Sequence, residues 1–194
     1  MADFTALSTV KTYLGISGSS EDTPINAAID AAELAIDNFC GREFKMVSSA
    51  TAKTFRPDTN VVLTVPDIAK LDSLVVKVDT GDDGTYNDTL TLTTEYVVEG
   101  NKAPYTLIRR VDGSAFPRYR SNRETVEVTA FWGYGVEIPA PIIQAATVYS
   151  ARLYQRRSSI LGFQPGMEGD ANYISRIDPD IKSLLAGYRL IGIA

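Results

Sequence analysis

The spacing of apolar residues changes along this chain, and that change limits the folds open to it. Near both ends apolar side chains recur every three or four residues, which predicts amphipathic helices. Between about residues 50 and 131 the spacing shortens toward two, which predicts short strands separated by turns. Helices at both ends and many strands between them indicate an α+β protein: a helical core with an inserted antiparallel β module.

The N-terminal part predicts two helices. Residues 5–14 form the first, which Gly15 ends in a left-handed conformation. The second has Thr23 as its N-cap and Pro24 in its first turn, and it ends at Gly41. We expect Cys40, the single cysteine, to be buried at its end. Its apolar stripe is Ile25, Ile29, Ala32, Ile36 and Phe39, and its polar face is Asn26, Asp30, Glu33 and Asp37.

The middle of the chain predicts an antiparallel sheet or a small barrel-like module. The acidic turn, Asp79–Gly84, fails the calcium-loop pattern because position three would be Gly81 and position twelve Leu90, so it is interpreted as a hairpin turn. Residues 112–123 lack a regular period and predict an exposed loop. The predicted strands are residues 53–56, 61–65, 74–78, 89–92, 96–98, 105–108 and 125–131.

The C-terminal part predicts two more helices. The third runs from Pro139 to about Arg157 and is apolar nearly all round, so we expect it to be buried on more than one side, with another subunit as a candidate neighbour. A glycine-rich connection over 162–177 leads to a fourth helix, capped by Asp178. The predicted parts are residues 1–48, 49–134 and 135–194, which together form one structural unit.

Composition excludes several classes of function. The 194 residues include no histidine and one cysteine, so the chain has no Ser-His-Asp triad, no histidine-ligated metal and no cysteine cluster. No apolar run approaches the roughly 20 residues that span a bilayer, and no signal-peptide pattern opens the chain. We therefore expect no enzyme, no cofactor, no metal and no membrane association.

The net charge of −5 is unevenly distributed. Residues 1–100 hold 7 basic and 16 acidic side chains (7 − 16 = −9), and residues 101–194 hold 12 and 8 (12 − 8 = +4). The basic loop, defined here as Arg118, Arg120 and Arg123, interleaves arginine with aromatic residues. It suits either contact with nucleic acid or a solvated loop or subunit contact, and the sequence leaves these alternatives open.

Several segments together resemble one known family. Val10–Ile16 and then Phe39–Phe44 resemble the start of the head–tail connector (adaptor, head-completion) proteins of tailed bacteriophages. Val128–Gly135, leading through Pro139 into an alanine-rich helix that ends Leu153–Arg157, is similar to the family's second half. Ile177–Asp180, with Leu184–Leu185 and Tyr188–Arg189, resembles its closing helix. The order and spacing of these pieces carry the resemblance over nearly the whole chain.

The resemblance implies a structural virion protein made in the host cytoplasm. Such a protein forms a ring, commonly of twelve copies, beneath the portal, extends the channel for packaged DNA and offers a platform for the next neck or tail protein. The implied C-terminal tail reaches the portal. The alternatives are a small ligand- or carbohydrate-binding module of a phage particle and a carboxylate enzyme.

The candidate site residues fall into three groups. The basic loop is a candidate for the DNA channel or an inter-subunit contact. The candidate portal-docking tail is Tyr188, Leu190, Ile191 and Ile193. The candidate inter-subunit helix carries Ile142, Tyr149, Arg152 and Arg156.

Overall fold

The structure, a computed structural model, describes residues 4–119, 123–157, 163–165, 171–173 and 178–190. These residues contain four α-helices, a six-stranded antiparallel sheet and a separate two-stranded sheet. The predicted α+β class is therefore confirmed. The chain divides into two compact units. The helical unit comprises Met1–Gly41 and Ile138–Ala194, and the β unit comprises Arg42–Glu137.

The helices lie close to their predicted positions. They are α1 (Leu7–Leu14), α2 (Asp22–Cys40), α3 (Ala140–Arg156) and α4 (Pro179–Leu185), and a 3-10 helix, Ala186–Tyr188, follows α4. Gly15 ends α1 with a φ of 69°, as predicted, and the N–H of Ile16 donates to the Lys11 carbonyl at 3.0 Å. Gly41 ends α2 in the same conformation, with a φ of 66°.

The core of the helical unit joins α1, α2 and α3. Val10, Ile25 and Ile29 are completely buried, and they pack with side chains of α3 that include Ala151 and Tyr154. Ile181 and Leu185 bury the inner face of α4. Removal of these side chains from water, at about 25 cal/mol per Å² of apolar surface, is the main force holding the unit together.

Two predictions for α2 are wrong. Thr23 does not cap the helix, because α2 begins one residue earlier, at Asp22, with Glu21 in the N-cap position and no side-chain cap hydrogen bond. Glu33 does not lie on a solvated polar face, because it is 5% exposed and its carboxylate accepts a hydrogen bond from the Phe4 N–H. The other prediction for the end of this helix is confirmed, since Cys40 is buried.

The β unit contains one antiparallel sheet of six strands, which are β1 (Thr51–Phe55), β2 (Val62–Val78), β3 (Asp88–Leu90), β4 (Tyr96–Glu99), β5 (Tyr105–Arg110) and β6 (Val126–Trp132). Their order is β1-β6-β2-β5-β4, and β3 pairs with β2. Val126, Val128 and Ala130 alternate into the core, as the sequence predicts. Trp132 and Tyr96 are among the largest buried side chains.

Strand β2 corrects the prediction of separate strands at 61–65 and 74–78. It continues through both segments, and its pairing shifts register between Lys70 and Val75, where Ser73 has a φ of 60°. The early half of β2 pairs with β5, and the later half pairs with β3 and β6. The irregular segment interrupts the alternating pattern of the sequence, which therefore predicts two strands where the structure has one.

A hairpin lies within the segment that was predicted as a connection over 162–177. Its strands, β7 (Phe163–Pro165) and β8 (Ala171–Tyr173), pair antiparallel, with Phe163 opposite Tyr173. Each strand has three residues, which is too short for an alternating pattern to stand out in the sequence.

Candidate functional site

The basic loop lies beside the acidic turn, within the β unit. Phe116 is 1% exposed, and its N–H donates to the Asn60 carbonyl at 2.6 Å, which anchors the start of the loop to the sheet. Its burial corrects the prediction that the whole of 112–123 is exposed. The Thr125 hydroxyl donates to the Pro117 carbonyl at 2.5 Å and anchors the other end. Arg118 is exposed, and Arg120 lies outside the described residues.

The acidic turn is organised by its own backbone. The Asp79 carboxylate accepts hydrogen bonds from the N–H groups of Gly81 at 2.9 Å and Gly84 at 2.8 Å. Burial raises the pKa of Asp79, but the backbone hydrogen bonds outweigh burial and the pKa is lowered. The turn joins the antiparallel strands β2 and β3, so its interpretation as a hairpin turn is confirmed.

Contacts tie the two segments together. The Arg123 guanidinium donates to the Asp82 carbonyl at 3.0 Å. Burial and the nearby carboxylates of Asp79, Asp82 and Asp83 raise the pKa of Tyr119. Arginine and carboxylate charge therefore meet within one part of the β unit.

Two other arginines of the second half are engaged by carboxylates beside them. Arg109 donates to Glu99. The Arg110 guanidinium is 6% exposed and makes two hydrogen bonds to Asp112, of 3.1 Å and 2.5 Å. The hydrogen bond from Arg110 holds the pKa of Asp112 at about 2. The second half of the chain therefore presents less unneutralised positive charge than its count of arginines indicates.

An ion-pair cluster joins α3 to α4 in the helical unit. The Asp178 carboxylate accepts a hydrogen bond from Arg152 and lies 3.8 Å from Arg156. Asp180 lies 3.6 Å from Arg152. Asp178 occupies the N-cap position of α4 without a side-chain cap bond, so the prediction that it caps the helix is right in position and wrong in mechanism.

The candidate inter-subunit helix is mostly covered by its own chain. Ile142 is completely buried and Tyr149 is 7% exposed. Arg152 and Arg156 are the members engaged with α4. Helices α1, α2 and α4 of the same chain pack around α3 and cover most of its apolar side chains. The apolar character of α3 therefore does not require a neighbouring subunit.

The described end of the chain is fixed to the end of α2. The Leu190 N–H donates to the Cys40 carbonyl at 2.8 Å, and the Arg189 guanidinium lies 5.4 Å from the centre of the Phe39 ring. The Leu190 side chain is nevertheless 46% exposed. Tyr188 is half-buried, whereas Ile191 and Ile193 lie outside the described residues.

The surface of the described residues includes a groove and a pocket large enough for a small ligand. A groove of 410 Å³ between α1 and α3 is open to solvent and lined mainly by hydroxyl and amide side chains and Tyr13. A polar pocket of 300 Å³ in the β unit is lined by residues that include Asp88, Glu95 and Arg110. Arg110 is already paired, Glu95 accepts the Thr91 N–H at 2.7 Å, and the described lining residues include no aromatic ring. Little in this pocket favours a carbohydrate.

The described residues contain no group of three or more cysteine, aspartate or glutamate side chains placed to hold a metal ion. In the same part of the chain, none of the helices has the length and apolar character needed to cross a membrane.

Sequence reasoning missed the association of the acidic turn with the basic loop. Each segment was recognised, but more than 30 residues separate them in the chain, and the contact arises because β2 and β6 pair antiparallel. The opposite charges of the two segments are the one signal in the sequence that could have indicated it.

The family comparison concerns the N-terminal part. Residues 4–72 match the family model of the phage gp6-like head-tail connector proteins. The resemblance to head–tail connectors is therefore confirmed over these residues. No curated protein sequence matches the chain.

Solved structures extend the similarity of fold to the whole chain. It is similar to a chain in the "Neck of empty GTA particle computed with C6 symmetry", with a TM-score of 0.64 and 15% identity. It is also similar to chains in the "Neck of native GTA particle computed with C12 symmetry" (TM-score 0.60, 14% identity) and the "Virion of native gene transfer agent (GTA) particle" (0.59, 16%). Each match covers 100% of this chain and 96% of the other.

Proposed function

We propose that this chain, whose residues 4–72 match the head–tail connector family model, is a structural neck protein of a phage-like particle. In this proposal it forms a ring of about twelve copies beneath the portal, extends the DNA channel and offers a platform for the next neck or tail protein. The observation that carries the proposal is a fold match over 100% of the chain to a chain in the neck of a gene transfer agent particle.

The charge distribution supports assembly into a closed ring. Neighbours in such a ring meet through two different patches of the same subunit. The N-terminal half of the chain has a net charge of −9 and the C-terminal half has a net charge of +4, so the subunit can supply two patches of opposite charge. The residues engaged in contacts within the chain, including Ile142 and Arg152, are less suited to that interface than the exposed ones.

The described end of the chain supports portal docking by the tail. Leu190 is half-exposed although its backbone is fixed, so the residues after it begin at a defined point on the helical unit. The apolar sequence Ile191–Ala194 has a lower free energy in contact with an apolar partner than in water.

Substitution of Leu190 tests the tail. We expect Leu190→Ser to weaken binding of the chain to its portal about tenfold, by loss of apolar contact, with no change in thermal stability. Leu34→Ser is the matched control because Leu34, on α2, is 62% exposed. Equal portal binding by the Leu190 variant and the control, measured by surface plasmon resonance, would remove the tail from the proposal.

The alternative of a ligand-binding module has little support from the β unit. A glycan array and calorimetry with the purified chain distinguish it from the connector. The connector proposal predicts no saturable saccharide binding, and such binding at the 300 Å³ pocket, abolished by Glu95→Gln, would favour the alternative.

A further inference from the structure

The sheet of the β unit ends at two strands, β1 and β4, and each of them pairs with one described strand only. An end strand presents the N–H and C=O groups of alternate residues to any extended chain that approaches its free edge. The pairing registers and the adjoining hydrogen bonds identify these residues, and the two edges differ in how far the chain itself covers them.

At β1 the backbone groups of Ala52 and Thr54 point away from the sheet. The Trp132 carbonyl accepts the Val47 N–H at 2.9 Å, in the segment before β1, so alternate residues of β6 counted back from Trp132 face β1. The register pairs those residues with the odd-numbered residues of β1, which leaves Ala52 and Thr54 facing outward. Within the described part of the chain, no backbone hydrogen bond uses these outward groups.

At β4 the chain covers most of the outer edge itself. The Val111 N–H donates to the Glu95 carbonyl at 3.0 Å, so Glu95 and every second residue after it face β5, whereas Tyr96 and Val98 face outward. The outward carbonyl of Tyr96 accepts the Thr93 N–H at 2.7 Å. Among the described residues of β4, Val98 is therefore the one whose outward N–H and C=O remain open to another chain.

The strand order determines how these two edges pair if one sheet continues into the next. Every step along β1-β6-β2-β5-β4 is antiparallel, so β1 and β4 run in the same direction along the sheet. A rotation that carries one copy onto its neighbour preserves strand direction, so β4 of one copy meets β1 of the next as a parallel pair. Val98 then lies opposite Lys53, with its N–H donating to the Ala52 carbonyl and its own carbonyl accepting the Thr54 N–H.

This pairing also brings matching faces of the two sheets together. Lys53 lies opposite the buried Val128, and Val98 lies opposite the buried Ile108, so both belong to the face of the sheet that bears the core. An antiparallel pairing of the same outward groups would instead place the core face of one copy beside the solvent face of the other.

We propose that the Val98 edge of one copy pairs with the β1 edge of a second copy, so that the sheets of neighbouring subunits are joined around the ring. Contact between two different patches of one chain is the arrangement that produces closed rings. Residues 51–56 include two basic side chains and no acidic one, whereas residues 95–99 include two acidic and no basic, so the two edges differ in charge. The inference rests on the proposed function, because it names a surface through which copies of the connector meet.

The variant Thr54→Pro tests the pairing because it removes the N–H that donates across the junction. Proline is tolerated in an edge strand where the N–H faces away from the sheet, so we expect the chain to fold. We expect the concentration needed for half-maximal ring assembly with the portal, measured by mass photometry, to rise about tenfold or more. Thr54→Ala is the matched control, since both variants lose the hydroxyl that donates to Glu124 and only proline removes the N–H.

The outcomes separate this inference from the connector role. Equal ring assembly by folded Thr54→Pro and Thr54→Ala would overturn the strand pairing and leave the connector role intact. Failure of the natural chain to form rings with a folded portal would overturn the connector role itself.

A cysteine pair tests the junction without proline. In the parallel pairing Lys53 and Val98 of neighbouring copies lie opposite each other, at a separation that a disulfide can bridge. We expect mild oxidation of rings of Lys53→Cys/Val98→Cys to link neighbouring copies into a ladder on a non-reducing gel, and rings of Lys53→Cys alone to give no ladder. Assembled rings of the double variant that yield no linked copies would overturn the inference.

Discussion

At Gly133 two segments of the β unit approach so closely that no side chain fits. A Cβ atom at this residue would lie 2.5 Å from the Lys45 carbonyl oxygen and 2.6 Å from the Met46 Cα, and the residue has a φ of 133°. Both contacts are with backbone atoms, which cannot rotate away. Gly133 is therefore required where the end of β6 passes the segment before β1.

Alanine at this position tests that requirement. We expect Gly133→Ala to lower the free energy of unfolding by about 3 kcal/mol or more, because backbone must move. Gly113→Ala is the control: its φ is 82° but no atom lies within 4 Å of an added Cβ, so only conformational strain of about 1–2 kcal/mol applies. Equal losses in urea denaturation would contradict the account.

The Arg110–Asp112 pair predicts a dependence of stability on acid. The pKa of Asp112 is held at about 2, below the value of 3.8 for an ordinary aspartate, so the ionised form stabilises the fold above pH 4. That contribution is lost as the pH falls from about 4 to about 2. We expect Asp112→Asn to be less stable than the natural chain at pH 7 and the difference to shrink toward pH 2.

Urea denaturation at several pH values measures this difference. Asp72→Asn is the control, since the Asp72 side chain is largely exposed and lies 3.6 Å from its lysine partner. A difference between the natural chain and Asp112→Asn that stays constant from pH 7 to pH 2 would contradict the assignment.

At the scale of single residues, the sequence predicted burial where a local pattern governed it. Ile25, Ile29 and Ile36 follow the helical spacing and are buried. The burial of Glu33 could not be predicted, because its partner is the N–H of Phe4, 29 residues earlier. Contacts between residues distant in sequence depend on how elements pack, which a local pattern does not contain.

The attachment of α4 to α3 depends on charge as well as apolar packing. Asp178 lies between Arg152 and Arg156 and its side chain is 18% exposed, whereas the Asp180 side chain is 84% exposed. Partly buried ion pairs with more than one partner contribute more than single pairs at the surface.

Neutralising Asp178 should loosen this element. We expect Asp178→Asn to lower the free energy of unfolding by about 1 kcal/mol and to speed hydrogen exchange in α4. Asp180→Asn, as the control, should cost less than about 0.5 kcal/mol. If exchange in α4 is equally fast in both variants, the cluster at Asp178 does not hold the helix.

At the scale of elements, helices were predicted better than strands. Capping glycines and a clear period placed α1, α2 and α3 within about two residues, as expected where the local signal is strong. The continuity of β2 and the short strands β7 and β8 were missed. An irregular segment interrupts β2, and β7 and β8 have three residues each, so the local pattern there is broken or too short to read.

At the scale of the whole molecule, short motifs in order indicate a resemblance to the connector family, and the family model matches residues 4–72. The sequence could not identify which surfaces face neighbours, because the apolar helix α3 has its partners within the chain. The sites proposed for assembly therefore rest on exposed groups, Leu190 above all, and on the opposite charges of the two halves.

The mass of the assembled chain tests the central claim most directly. The chain is expressed together with a portal protein from the same genome, and the purified complex is measured by native mass spectrometry. We expect a closed ring of about twelve copies bound to the portal. A chain that remains a monomer in the presence of the folded portal would contradict the proposal that it is a neck connector.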